Sequence, residues 1–198
     1  MNRTKLGAVV AEAQVGFATG ERDPTGVIQL RMNNITTRGG FDWSSITRVP
    51  GAGAPANLNL KPGDVVFNNT NSAELVGKSA LFTGFREPVF FSNHFTRLRV
   101  REDRLLPEFL AFWLQAKWKE RLFFEICNRW VGQAAVQRNK LLSLEIELPD
   151  LRQQREVTAA LKEEFDIIER ARAAAETRLD ALRALPAALL RRVFSGEL

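Results

Sequence analysis

One cysteine and one histidine are all that this 198-residue chain offers for thiol or imidazole chemistry. Cys127 alone excludes an internal disulfide and fits a reducing interior. It sits among Leu122, Phe123, Phe124 and Ile126, an apolar setting that suits a buried inert thiol better than a nucleophile. His94 has no second histidine to complete a metal cluster, and one imidazole beside Phe95 in a strand-like run reads as structural. There is no P-loop, and no glycine-rich nucleotide fingerprint follows a strand. Asp64, Glu74 and Lys78 are the nearest approach to a nuclease-like set, but Glu74 and Lys78 lie four apart in a turn region and the spacing is not diagnostic. No catalytic residue and no metal ligand is therefore assigned. No stretch approaches the roughly twenty apolar residues that a bilayer requires, so no membrane partner is expected. Met1–Lys5 lacks the apolar core of a signal peptide, and the expected compartment is the cytoplasm. Internal repeats and low-complexity tracts are absent as well.

What the chain does have is a long helix at its end. From Leu151 to Leu198 the first glycine is Gly196. Leu161, Ile168, Ala175, Leu182 and Leu189 recur every seven residues, and Phe165, Leu179 and Val193 fall four places after members of that row. Mixed three and four spacing is the seam of a helix that packs lengthwise on another helix. Charged residues such as Lys162, Glu163, Arg170, Glu176 and Arg183 fill the intervening positions. Pro186 removes one backbone hydrogen bond and is expected to bend the rod, leaving a short terminal turn from Ala187 to Phe194. At about 1.5 Å per residue the segment reaches roughly 60–70 Å, longer than a small domain is wide. Such a stripe requires a partner.

The preceding residues have a different grammar. Residues 26–36, GVIQLRMNNIT, alternate apolar and polar as a half-buried strand does. Residues 37–59 are loop-like, with glycines, Pro50 and Pro55 around a hydrophobic island at Phe41–Ile46. Pro62–Gly63 makes a turn into a strand ending near Phe67, and Val76–Phe82, Val89–Phe91 and Phe95–Val100 lead into or form further strands. From Pro107 the period changes, and an amphipathic helix is expected through Ile126. Asn128–Arg138 is polar and loop-like, and Leu141–Leu148 is a last strand stopped by Pro149. The expected fold class is α+β: a β-rich domain over 1–148, then one long coiled-coil-forming helix over 149–198.

Net charge is +5, and residues 1–150 carry +4 of it, with 19 Lys and Arg against 15 Asp and Glu. This mild excess is compatible with a polyanionic partner. Polar side chains suited to that role cluster at strand ends and loops: Arg31, Asn33, Asn34, Arg38, Asn68, Asn69, Asn71, Lys78, Asn93, Arg129, Gln133, Gln137, Arg138 and Lys140. Arginine matches guanine edges, asparagine and glutamine match adenine, and the cations also hold phosphates. Asparagine is equally a good turn residue. Of the four tryptophans, Trp43, Trp113 and Trp118 suit the core, and Trp130 beside Arg129 suits the surface.

Several stretches together carry a resemblance. GVIQLRMNNIT (26–36), LKPGDVVFNNTNSAELVGKSALF (60–82), NHFTRLRV (93–100), PEFLAFWLQ (107–115), LPDLRQQREV (148–157) and LLRRVFSGEL (189–198) occur in an order that resembles the specificity (S) subunit of type I restriction–modification systems. The match covers nearly the whole chain. The resemblance implies a target recognition domain that reads one half of a split DNA site, and a spacer helix from about Leu151 that pairs with another helix and docks modification (methyltransferase) subunits. It implies no enzyme in this chain and no cofactor of its own, S-adenosylmethionine belonging to the partner methyltransferase; a restriction (nuclease) subunit can accompany them. A typical S subunit has two recognition domains and two helices, and this chain has one of each. It therefore resembles a half-size form that works as a homodimer through Leu161, Phe165, Ile168, Ala175, Leu179, Leu182, Leu189 and Val193, and the ending FSGEL suggests a natural close. Because the stretch from Asn68 to Lys78 matches the family well, it also suits a scaffold role. Two other classes compete: a DNA-modifying or DNA-cleaving enzyme with its site in residues 60–100, and a coiled-coil adaptor without DNA binding.

Overall fold

A computed structural model of the chain describes residues 2–195. It divides into two units, one running to Arg155 and one from Glu156 onward. In chain order the first unit holds β1 (Asn2–Lys5), α1 (Leu6–Val9), β2 (Val10–Val15), β3 (Val27–Leu30), β4 (Arg48–Val49), β5 (Val65–Asn68), β6 (Thr70–Asn71), β7 (Ser79–Leu81), β8 (Val89–Phe91) and β9 (Phe95–Val100). Then come α2 (Pro107–Lys119), α3 (Leu122–Ile126), β10 (Asn128–Trp130), β11 (Gln133–Ala135), α4 (Arg138–Leu142) and β12 (Glu145–Leu148), before α5 (Leu151–Phe194). A sheet-rich domain followed by a long helix is the architecture that the sequence led us to expect.

The antiparallel sheet β2–β9–β5–β7 separates two cores. Side chains of a strand alternate between faces, and here both faces are covered. Val65, Phe67 and Leu98 enter one core with Leu110, Leu114 and Phe123 of α2 and α3. Val66 and Phe95 enter the other, with Ile28, Leu30, Val89 and Phe91. Those last four belong to a second sheet, β4–β3–β8, in which β3 and β8 run parallel. Arg97 also points to this side and is fully buried. Its guanidinium donates to Glu12 Oε1 (2.7 Å), Gln14 Oε1 (2.6 Å) and the Asn57 carbonyl (2.8 Å), tying β2 and a loop to β9. Arg99 adds Asp64 and the other oxygen of Glu12. Both Nη groups are occupied, Nε is not, and removal of the Glu12 carboxylate would leave a stranded charge.

Several local expectations give way to side-chain detail. The strand over 26–36 stops at Leu30, because the Asn34 amide oxygen accepts the Arg31 N–H and the Asn34 N–H returns to the Arg31 carbonyl (both 2.8 Å), closing a 3-10 turn at Met32–Asn34. The single helix over 107–126 is two helices, since Arg121 adopts φ 64 in the left-handed region. The polar stretch 128–138 is a hairpin, β10–β11, turning at Val131–Gly132 with Gly132 at φ 75. The last strand begins only at Glu145, because α4 takes Arg138–Leu142. β12 pairs with β1, so both ends of the domain meet in one antiparallel ribbon.

α5 is one helix of 44 residues, about 66 Å long. Contrary to the expected short terminal piece, the helix continues through Pro186 to Phe194 without ending. Its first turn belongs to the globular unit: buried Gln154 accepts the Leu106 N–H (2.8 Å) and donates to the carbonyls of Arg104 and Pro149 (2.9 Å each). Leu161, Phe165, Ile168, Ala175, Leu179, Leu182, Leu189 and Val193 are all exposed on their own unit. Gly196–Leu198, which include most of the FSGEL close, lie outside the described residues.

Candidate nucleic-acid interface

The fourteen polar side chains named by residue type fall into two populations. Asn34, Asn68, Asn69 and Lys78 are buried. Asn34 Nδ2 donates to the carbonyls of Asp42 and Ser45, pinning the loop over 42–45. Asn68 Nδ2 donates to the Thr70 and His94 carbonyls (3.0 Å each), and Asn69 Nδ2 to Thr96 Oγ1. The Lys78 ammonium caps the 3-10 turn by donating to the carbonyls of Met32 and Ile35. Burial holds its pKa below the usual lysine range. Residue type placed these four at a binding surface; the fold encloses them and spends their donors on backbone carbonyls and, for Asn69, on the Thr96 hydroxyl.

The remaining ten are reachable. Asn33, Arg38, Asn93, Arg129, Gln133, Gln137, Arg138 and Lys140 are exposed, and Arg31 and Asn71 are half-buried. Two groupings emerge. In the sheet β10–β11–β6, Asn71 pairs across from Ala134, which pairs with Arg129, while Gln133 faces Trp130 beside the turn. Trp130 is 61% exposed, Val131 is fully exposed, and Gln137, Arg138 and Lys140 follow directly in chain order. The Arg129 guanidinium stacks 3.9 Å from the Phe124 ring centre, and Arg121 stacks 4.2 Å from the same ring. An arginine held on an aromatic ring is presented with fewer rotamers to lose on binding.

In the second grouping, Arg31 and Asn93 line an open cleft of about 420 Å³ with Ala18, Thr19, Gly20 and His94. Burial and the nearby Arg22 both push the Arg31 pKa down. Burial, and secondarily Arg31, push the His94 imidazole below its usual 6.5. The groupings share a backbone junction: the N–H groups of Asn69 and Thr70 both donate to the His94 carbonyl. Thr19, Gly20, His94 and Arg121 escaped residue-type reasoning. Only the fold sets Thr19 and Gly20 beside Arg31 and His94, and Arg121 beside Arg129 on the Phe124 ring.

Asp64, Glu74 and Lys78 do not converge. Asp64 is engaged by Arg99 and the Lys61 N–H, Glu74 is exposed, and Lys78 faces the 3-10 turn. Among the described residues, no group of three His, Cys, Asp or Glu side chains could hold a metal ion. No described helix is long and apolar enough to cross a membrane.

The architecture is thus a mixed-sheet domain with polar loops and a cationic hairpin, followed by a long helix with an exposed apolar stripe. The sequence profile of the type I restriction modification DNA specificity domain matches residues 30–175, and the chain belongs to this family. Curated relatives include the candidate MjaX type I restriction enzyme specificity subunit of Methanocaldococcus jannaschii, 30% identical over 111 residues, which covers 56% of this chain and 26% of that protein. The StySPI type I restriction enzyme specificity subunit of Salmonella potsdam is 22% identical over 98% of this chain and 42% of its own length. Among solved structures, a chain from a type I restriction–modification system studied for complex assembly and conformational transition superposes with a TM-score of 0.66 at 21% identity, over 100% of this chain and 46% of that one. The HsdS subunit from Thermoanaerobacter tengcongensis gives 0.60 at 23% identity over 91% of this chain and 46% of its own. These structures share the fold. The chain spans less than half the length of each of these relatives.

Proposed function

We propose that this chain is the non-catalytic sequence-reading component of a type I restriction–modification enzyme, that residues 1–148 read one half of a split DNA site, and that the helix over 149–198 pairs with a second copy and docks methyltransferase subunits. The observation that carries this reading is the family match over 30–175, which joins the recognition domain to the first half of α5. Methyl transfer, with S-adenosylmethionine, and any cleavage belong to partner subunits in the cytoplasm. The reading surface comprises the ten reachable side chains, led by Arg129, Gln133, Gln137 and Arg138 on and after the hairpin, while Asn34, Asn68, Asn69 and Lys78 hold its loops in place.

The case for a second copy rests on the stripe. Burying Ile168, Leu179 and Leu182, each about half exposed or more on the lone helix, contributes on the order of 1.5–3 kcal/mol apiece before the entropy of association is subtracted. A two-fold axis through a helix pair relates two identical readers, and identical readers see inverted repeats.

Duplex binding measured against salt tests the reading. If about four to six phosphates are neutralised, affinity should fall by roughly two to three decades between 50 and 200 mM salt. Arg129→Ala and Arg138→Ala should each weaken binding, and whichever contacts a base should also relax sequence choice. Salt-independent binding, or none in the presence of the methyltransferase, would sink the proposal.

A further inference from the structure

The cleft beside β3 has the electrostatics of a site awaiting an anion. Arg31 follows β3 directly, and among the described residues no carboxylate pairs with it. Its Nε is buried without a hydrogen-bond partner, and Nη2 makes one long contact, 3.4 Å, to the Thr19 carbonyl. The charged groups that act on it and on His94 are cationic: Arg22 opposes Arg31, and Arg31 opposes a protonated His94. Partial burial of a guanidinium among like charges is unfavourable by itself. The opposite wall is backbone with unspent N–H groups. Among the described residues, the backbone N–H groups of Ala18, Thr19 and Gly20 meet no backbone acceptor.

The walls are also fixed in advance. The Phe17 carbonyl accepts both Gln29 Nε2 (3.0 Å) and the Asn93 N–H (3.1 Å), and the Phe17 N–H donates to the Phe91 carbonyl. His94 is held by its own carbonyl, which takes Asn68 Nδ2 as well as the Asn69 N–H. These bonds hold the backbone at Phe17, Asn93 and His94 without a ligand, which favours binding.

We propose that the cleft formed by Ala18–Gly20, Arg31, Asn93 and His94 is a phosphate site, seating a backbone phosphodiester of the DNA whose bases the neighbouring loops read. The guanidinium fork and the amide donors match phosphate oxygens. A contact of this kind fixes register and carries no sequence information. The assignment of the occupant as DNA rests on the function proposed above; the phosphate chemistry rests on the cleft alone.

The test uses the full chain with two probes. Titration with inorganic phosphate, followed by amide and arginine side-chain NMR, should give saturable shifts at Thr19, Gly20, His94 and the Arg31 Nε–H, and Arg31→Gln should abolish them. With duplex DNA, Arg31→Gln should lower affinity about fivefold to tenfold on cognate and unrelated sequences alike. It should also reduce the slope of log affinity against log salt by about 1. Asn93→Asp, an exposed change that puts negative charge at the rim without touching either core, should act in the same direction and serves if the Arg31 variant does not fold. Unchanged DNA affinity and slope in both variants overturn the site while leaving the DNA reading intact. Phosphate shifts in a chain that binds no DNA uphold the site and overturn that reading. Relaxed base choice in Arg31→Gln would make Arg31 a base contact and overturn the phosphate role.

Discussion

At the scale of single residues, the polar set divides by what each donor already holds. The side chains of Asn68 and Asn69 together carry five hydrogen bonds, with His94, Thr70, Thr96 and Asn71, so their loss would move the loops rather than delete a contact. That division was not legible in the sequence. Asparagine in a strand end looks the same whether its amide faces water or a backbone carbonyl, and only the register of β5 on β9 decides. The exposure of Trp130 was legible from its place beside Arg129 in a polar stretch, although that stretch is a hairpin strand and not a loop. His94 gives a pH test. Its imidazole titrates below the usual 6.5 in the folded chain, burial being the larger cause and Arg31 the lesser. Between that depressed value and 6.5 the unfolded chain therefore binds more protons, and stability rises with pH. Urea midpoints should fall as the pH is lowered through this window, and His94→Gln should flatten that part of the profile. An unchanged slope would assign it to other groups.

At the scale of elements, strands with both faces buried were legible as continuous apolar runs: Val65–Phe67 and Val89–Phe91 lie where the sequence placed them. Elements whose ends depend on one polar bond were not. Asn34 turns the chain after β3, and Arg121 in the left-handed region divides α2 from α3, with no proline or glycine to announce either. α5 shows the same contrast. Its start after Pro149 was legible, but the clamp that ties its first turn to the domain, Gln154 with three hydrogen bonds, was not. A chain ending at Arg155 keeps this clamp and should therefore fold. One ending at Asp150 should lose about 1–3 kcal/mol or more, because the Leu106 N–H is stranded in a largely buried setting. Thermal unfolding of the two truncations measures the difference, and equal midpoints would show that the Gln154 clamp contributes little.

At the scale of the whole molecule, one recognition domain and one helix account for less than half of the relatives' length, and the proposed second copy supplies a second reader. The seven-residue rows of α5 made a long helix with an exposed apolar stripe legible from sequence alone, since spacing on a helix does not depend on tertiary context. Ile168→Asp or Leu182→Glu should place a charge in the seam, shift the chain to a monomer in light scattering, and leave the domain's unfolding midpoint within about 0.5 kcal/mol of the parent. A parent chain that is already monomeric would remove the homodimer from the account. The most direct test of the central claim is to incubate the purified chain with its methyltransferase partner, S-adenosylmethionine and a mixed-sequence DNA library, and to sequence the methylated positions. The account predicts a single split motif with inverted-repeat halves, methylated only when both proteins are present. Methylation by this chain alone, or the same sites modified with or without it, would contradict the account.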